Sequence, residues 1–293
     1  MAGELTRLVI EGVRDFDPAH IFESGQCFRF TREQDGSYTG VVRGCFANIS
    51  YNNEEDLLTI WSDYMPKSDT LRLKFWRDYF DLDRDYAEIK RALSDKDPVM
   101  EKAIIAGSGL RVLNQEPWET LISFIISQNS NIARVRGCID DLCTHFGEKI
   151  GRFENREMYA FPKIRALASI NEADLEPLKL GYRAGYVAES ARQVDVDGGA
   201  FLDTAGSASA EKAEEYLLSL SGVGPKVAHC VMLFALKKTD SFPIDVWIAR
   251  AMNRLYGIDE SDHDAMRGHA MEHYSPYGGI AQMFLFEYIR KNP

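Results

Sequence analysis

The sequence predicts an α+β protein, with a small antiparallel sheet domain over residues 1–105 followed by an all-helical body over 106–293. Three observations predict it. Up to about residue 62 apolar residues recur every second position, from about Asp69 the period becomes helical, and glycine or proline then interrupts the chain at intervals suited to medium-length helices. The strand candidates are CFRFT, SYTGVV, FANISY and LLTIW, separated by the turn formers Asp35-Gly36 and Asn52-Asn53. The first helices are read over LRLKFWRDYF, YAEIKRAL and PWETLISFIISQ, and no further strand is expected after them. Breaks at Gly107-Ser108-Gly109, Pro162, Gly181, Gly198-Gly199 and Gly222-Val223-Gly224 divide the rest, without repeats or low-complexity tracts.

With 293 residues, 45% of them hydrophobic, the chain can bury one large core or two smaller ones. No charged leader with an apolar stretch opens it, and its longest apolar runs, such as VAHCVMLFAL, are too short to span a membrane. A bacterial cytoplasm is the expected location, or the nucleus if the source is eukaryotic. The five cysteines are odd in number and form no C-x-x-C, so they read as reduced thiols rather than disulfides or a zinc site. The net charge of −11 argues, by itself, against a nucleic-acid partner, because phosphate binding depends on Lys and Arg. One locally basic or dipole-lined face is enough to reverse that inference.

Such a face is suggested by EEYLLSLSGVGPKVAHCVMLFAL, two helical stretches joined through Ser221-Gly222-Val223-Gly224, a hairpin over about 211–236. Pro225 falls where a second helix begins, a position whose N–H has no internal partner. Gly222, Val223 and Gly224 can present main-chain N–H groups to a phosphate, although an ordinary helix connection has the same composition. Lys226 lies in the first turn, where the helix dipole disfavours a cation and favours a free amine. Asp245 follows nineteen residues later at the start of the helix VWIARAMNRLYG, as a helix N-cap, an acid–base group, or both.

LSGVGPKVAHC with PIDVW nineteen residues on resembles the signature of the helix-hairpin-helix glycosylases, and the lysine resembles that of their lyase-competent branch. SGQCFRF (24–30), SQNSNIARVRG (127–137), LGYRAGYV (180–187) and AQMFLF (281–286) resemble, in order, segments of the 8-oxoguanine DNA glycosylase/lyases. The similarity covers nearly the whole chain. It implies a bifunctional enzyme that removes 8-oxoguanine from double-stranded DNA, preferably opposite cytosine, through a Lys226 Schiff base and β-elimination assisted by Asp245. The chain is expected to act as a monomer, with no metal or organic cofactor and with a monovalent cation as a possible structural ligand of the hairpin.

The same resemblance places Asn129, Arg134 and Arg183 on the unpaired cytosine and Tyr182 as a wedge in the base stack. Gly25, Cys230, Gln282 and Phe286 would contact the flipped base, Gly25 through its carbonyl, Cys230 and Phe286 on its two faces, and Gln282 at its edge. Each residue also has a plainer role open to it: solvated helix charges for the arginines, core packing for Tyr182, Cys230 and Phe286, a strand start for Gly25. Two positions depart from the pattern, since Trp247 replaces a histidine of the eukaryotic members and His229 an acidic residue. They bear on phosphate contacts and on how the base reaches its pocket. No cysteine follows Cys230, which excludes the iron–sulfur loop of the related endonucleases and adenine glycosylases. The competing readings are a monofunctional alkyl-base glycosylase and a catalytically silent DNA-binding module.

Overall fold

In the computed structural model, which describes residues 5–64, 66 and 68–292, an antiparallel sheet precedes a helical body. The sheet has the order β1-β5-β4-β3-β2, formed by Thr6–Ile10 (β1), Thr31–Arg32 (β2), Tyr38–Val42 (β3), Cys45–Asn52 (β4) and Leu57–Ser62 (β5). Three of the four expected strands lie where the alternation places them. The fourth does not. CFRFT contributes only Thr31 to a strand, because its alternating residues face two different cores. Phe30 stacks on Phe22 at 4.0 Å under the sheet, whereas Phe28 packs edge-on against Phe124 at 5.5 Å inside the helical body. The fourth long strand is instead the N-terminal TRLVI, at the edge of the sheet opposite β2 and paired with β5 from Thr6↔Ser62 to Ile10↔Leu58.

A second correction concerns the body, where Lys149–Phe153 (β6) and Arg156–Tyr159 (β7) form a hairpin that the sequence reading did not anticipate. Its strands carry charged residues and little alternation, so local propensity does not announce it. Tertiary contacts hold it against the first sheet: Phe153 stacks on Phe46 at 5.2 Å, and Arg156 pairs with Glu33.

The expected helices form over Asp69–Tyr79, Tyr86–Lys96 and Pro117–Ser127, the last buried along nearly its whole length at the centre of the body. Glycine ends or bends the chain at the anticipated breaks, with positive φ at Gly109, Gly181, Gly198, Gly199 and Gly222. One apolar cluster fills the body and a second lies beneath the sheet. The helix Tyr86–Lys96 gives Tyr86, Ile89 and Leu93 to the body's core, so the two cores interlock across the early helices. All five cysteines are free thiols, and no helix among the described residues is long and apolar enough to cross a membrane.

Candidate active site

The hairpin is built from the helices Ala210–Leu218 and Pro225–Phe234. Its two glycines do different work. Gly222 adopts φ +74°, and a Cβ there would lie 2.5 Å from Tyr186 Cβ, so only glycine fits against the helix Arg183–Asp195. A Cβ on Gly224 would meet nothing within 4 Å, so this N-cap glycine leaves open space before the helix start. Val223 packs its side chain into the core and its N–H donates to the Leu220 carbonyl at 3.2 Å, so, contrary to the expectation for all three turn residues, it has only its carbonyl left for an outside partner. The turn is fastened from three sides: Gln128 Nε2 donates to the Gly222 carbonyl at 2.9 Å, Ser190 Oγ to the Ser221 carbonyl at 2.5 Å, and the Ser221 N–H to Gln193 Oε1 at 2.8 Å.

Lys226 is half-buried in the first turn of the second hairpin helix and lines a cleft of 750 Å³ together with Asp245. Its Nζ lies 3.4 Å from Ser127 Oγ and 4.9 Å from the centre of the Phe124 ring. Asp245 caps the helix Val246–Tyr256, with Oδ1 accepting from the Trp247 and Ile248 N–H groups at 3.0 and 2.9 Å. Oδ2 takes no hydrogen bond among the described residues. The two roles open to this aspartate are therefore compatible, with one oxygen fixing the carboxylate and the other free in the cleft.

Behind the amine, a smaller recess is lined by Gly25, Cys230, Gln282 and Phe286, so residues from both ends of the chain meet there. Gly25 has φ +81° in a loop pinned by the buried Gln26, whose amide donates to the Ile21 and Arg111 carbonyls and accepts from the Leu113 N–H. Burial pushes the Cys230 thiol up to about 11 despite the opposing pull of Lys226, so it stays protonated at neutral pH. Gln282 is buried, and its Oε1 has no hydrogen-bond partner among the described residues. A buried acceptor left unpaired costs about 1–3 kcal/mol, so this oxygen is poised for a donor from outside the protein. Phe286 is half-buried, with Arg290 over its ring at 5.4 Å.

Asn129, Tyr182, Arg183 and Arg134 gather beside the hairpin. Asn129 Nδ2 donates to the Tyr182 hydroxyl at 3.0 Å, and Tyr182 is 50% exposed, so core packing does not account for it. Arg134 is exposed and donates to the Lys179 carbonyl at 3.2 Å. Arg183 differs from a solvated helix charge: it is buried, and four of its five N–H donors go to the carbonyls of Gln128, Asn129 and Leu180. It secures the turn that holds Asn129 at φ +47°, leaving one donor free.

Sequence reasoning missed Ser127, Phe124 and Gln128, which surround the amine or fasten its hairpin. Ser127 and Gln128 open the segment SQNSNIARVRG, so the resemblance itself carried a signal for them, whereas for Phe124 the only signal is its place near the end of the buried helix that precedes Asn129. Trp247 lines the cleft beneath Arg250, whose guanidinium lies 5.6 Å from the indole, so this departure stays within the site. His229 does not. It is buried against the facing hairpin helix with Nε2 3.2 Å from Glu214 Oε1, and burial holds its imidazole below the usual histidine range against the pull of Glu214.

The hairpin turn, the lysine amine and the carboxylate thus meet at one cleft with a recess behind it. Residues 8–121 match the N-terminal domain of 8-oxoguanine DNA glycosylase, and residues 122–276 match the HhH-GPD superfamily of base excision DNA repair proteins. A probable N-glycosylase/DNA lyase of Methanothermobacter thermautotrophicus is 30% identical, covering 96% of this chain and 95% of its own. The structure of MBOgg1 with a low-affinity DNA ligand superposes with a TM-score of 0.90 at 37% identity, over 100% of this chain and 99% of that one. The Clostridium acetobutylicum 8-oxoguanine glycosylase/lyase, bound to double-stranded DNA with cytosine opposite 8-oxoguanine, gives 0.90 at 32% identity over 100% and 99% of the two chains. The chain belongs to the 8-oxoguanine glycosylase/lyase family within the HhH-GPD superfamily, and it is a DNA N-glycosylase with lyase activity.

Proposed function

We propose that this enzyme removes 8-oxoguanine from duplex DNA, preferentially opposite cytosine, and then cleaves the strand by β-elimination. The observation that carries the reading is the placement of Lys226 Nζ and the Asp245 carboxylate in one cleft in front of the recess of Gly25, Cys230, Gln282 and Phe286. With the lesion extruded into that recess, the neutral Lys226 amine donates its lone pair to the anomeric carbon while the bond to the base breaks, its electron pair leaving with the base. Asp245 takes the proton released by the amine and offsets positive charge developing on the sugar. Ring opening gives an imine between Lys226 and the sugar. Asp245 passes its proton to the ring oxygen as the ring opens, and the regenerated carboxylate then takes a C2′ proton, whose bonding electrons expel the 3′ phosphate. Side chains already in the cleft supply the nucleophile and the base, so the steps need no metal or organic cofactor.

DNA binding rests on local features, given the net charge of −11. The N–H groups of Gly222 and Gly224, which meet no acceptor among the described residues, hold a phosphate at the open space beside Gly224, and Arg290, which lines the same cleft, adds positive charge. The Val223 carbonyl accepts no hydrogen bond among the described residues, unlike those of Ser221 and Gly222, and so suits a monovalent cation bridging to that phosphate. Incubation with an 8-oxoguanine:cytosine duplex, with and without borohydride, tests the whole reading. A trapped covalent complex is expected. Base release without trapping would indicate monofunctional chemistry instead.

Cytosine preference is assigned to Asn129, Arg134 and the remaining donor of Arg183. Arg134→Ala is expected to reduce the preference for cytosine over adenine about tenfold, since one bidentate base contact discriminates by roughly 1–3 kcal/mol. Unchanged rate ratios across the four opposite bases would refute the assignment. Arg183→Ala is expected to weaken duplex binding as well, because it also releases the Asn129 turn.

Gly25 is assigned the recognition of the lesion itself. 8-Oxoguanine carries an N–H where guanine has a bare acceptor nitrogen, so a main-chain carbonyl aimed there accepts from the first and repels the second. An unpaired buried polar group costs about 1–3 kcal/mol on each side, enough for strong rejection. Gly25→Ala would strain the backbone at φ +81° and bring Cβ to 3.2 Å from Ile132 Cδ1, shifting that carbonyl. We expect excision of 8-oxoguanine to suffer far more than cleavage of a pre-formed abasic site. Equal losses on both substrates would make Gly25 a purely structural residue.

A further inference from the structure

The Lys226 amine has two fixed neighbours whose chemistry constrains its orientation. Ser127, the last residue of the helix Pro117–Ser127, donates its only hydroxyl proton to the Phe124 carbonyl at 2.8 Å. Toward Lys226, 3.4 Å away, the same oxygen can therefore only accept. The face of the Phe124 ring, 4.9 Å from Nζ, is a second sink for positive or N–H character. A neutral primary amine has two N–H groups and one lone pair, so two such neighbours leave the lone pair as the only part directed elsewhere. The protonated Cys230 thiol is a weak partner and competes little.

The pair is also held in register. Gln128, the next residue, donates through Nε2 to the Gly222 carbonyl of the hairpin, and its own carbonyl accepts from Arg183. The helix end that carries Ser127 and the hairpin that carries Lys226 are thereby joined one residue from the contact.

We propose that Ser127 is a positioning residue for the nucleophile: its hydroxyl oxygen takes one amine N–H and turns the nitrogen lone pair into the cleft. The contact is long in the free protein and shortens when the substrate closes the cleft, as catalytic hydrogen bonds commonly do. This inference rests on Lys226 as nucleophile.

The test is single-turnover kinetics of Ser127→Ala and Ser127→Thr on an 8-oxoguanine:cytosine duplex and on a duplex with a pre-formed abasic site. Because both reactions use the amine, Ser127→Ala is expected to slow both by about 10- to 100-fold, the scale of a misplaced reacting group, with duplex Kd and thermal midpoint unchanged. Ser127→Thr keeps the acceptor and is expected to restore most of the rate. Ser127→Cys, similar in size but a poorer acceptor, serves if the alanine variant does not fold, and is expected to be slow on both substrates. Wild-type rates in the alanine or cysteine variant, a loss confined to base removal, a loss in Kd instead of rate, or a threonine variant as slow as alanine would each overturn the proposal. Trapping by Lys226→Gln would instead remove the nucleophile on which it rests, so the two failures are distinguishable.

Discussion

Lys226→Gln is expected to lose base release and borohydride trapping to background while still binding duplex DNA. Glutamine matches the length of much of the lysine chain and is a good helix former, so the first turn of Pro225–Phe234 has no reason to unfold. The contacts that hold the hairpin run through Gln128, Ser190 and Gln193 to main-chain atoms, and none involves the lysine side chain. What disappears is, among the described residues, the only amine lining both the cleft and the recess behind it. An amide nitrogen is not a nucleophile toward carbon at neutral pH, and no other side chain in the recess replaces it, since the Cys230 thiol is held protonated by burial. Gel-resolved trapping on the 8-oxoguanine:cytosine duplex, beside a binding titration on the same duplex, separates the two effects. Full trapping by the variant would show that another amine forms the imine.

The parts of this site legible in the sequence are those that depend on local chain geometry. A glycine-rich turn, a proline at a helix start, a lysine one residue on and an aspartate before the next helix can be read from spacing. All four take those positions in the structure. The recess is different: Gly25 and Phe286 lie at opposite ends of the chain, and no periodicity brings them together, so only family resemblance suggested their meeting. Arg183 shows a further limit. A basic residue at the start of a helix reads as solvated, whereas here burial and four hydrogen bonds make it a brace for the Asn129 turn. CFRFT failed for a physical reason too, because alternation between two cores has the same period as alternation between a core and solvent. The hairpin of Lys149–Phe153 and Arg156–Tyr159 was invisible because its stability comes from Phe46 and Glu33, far away in the chain.

The acidic composition also looks different once the site is placed. Many of its carboxylates are tied into ion pairs away from the cleft, such as Asp78 with Arg43 and Lys237, or Asp83 with Arg77. Lys226, by contrast, forms no ion pair among the described residues. Among the described residues Asp245 is the only carboxylate lining the cleft, which also holds Arg290 and the N-terminus of the helix Pro225–Phe234, and this local balance reconciles a net charge of −11 with a polyanionic substrate. Affinity for undamaged duplex is therefore expected to be modest and to fall steeply with salt.

Asp245→Asn is the most discriminating of the large-effect substitutions, because the wild-type carboxylate has a cap role in the structure and a catalytic role in the proposed mechanism, and asparagine divides the two. Oδ1 caps the helix Val246–Tyr256 through the Trp247 and Ile248 N–H groups, and asparagine is as good an N-cap as aspartate. The variant is therefore expected to keep its fold and its thermal midpoint. It loses the charge and the proton-accepting oxygen that share the cleft with the amine, and a positioned acid–base group commonly contributes about 10²- to 10⁴-fold, so single-turnover excision should fall by that range. Asp245→Ala removes both roles and should add a stability loss of about 1 kcal/mol, the usual cost of a missing cap. Measuring excision rates and melting midpoints for the wild type and both variants places the two contributions on separate axes. If the asparagine variant loses stability but its folded fraction turns over normally, Asp245 is a helix cap alone, and the proton from Lys226 must leave by another route.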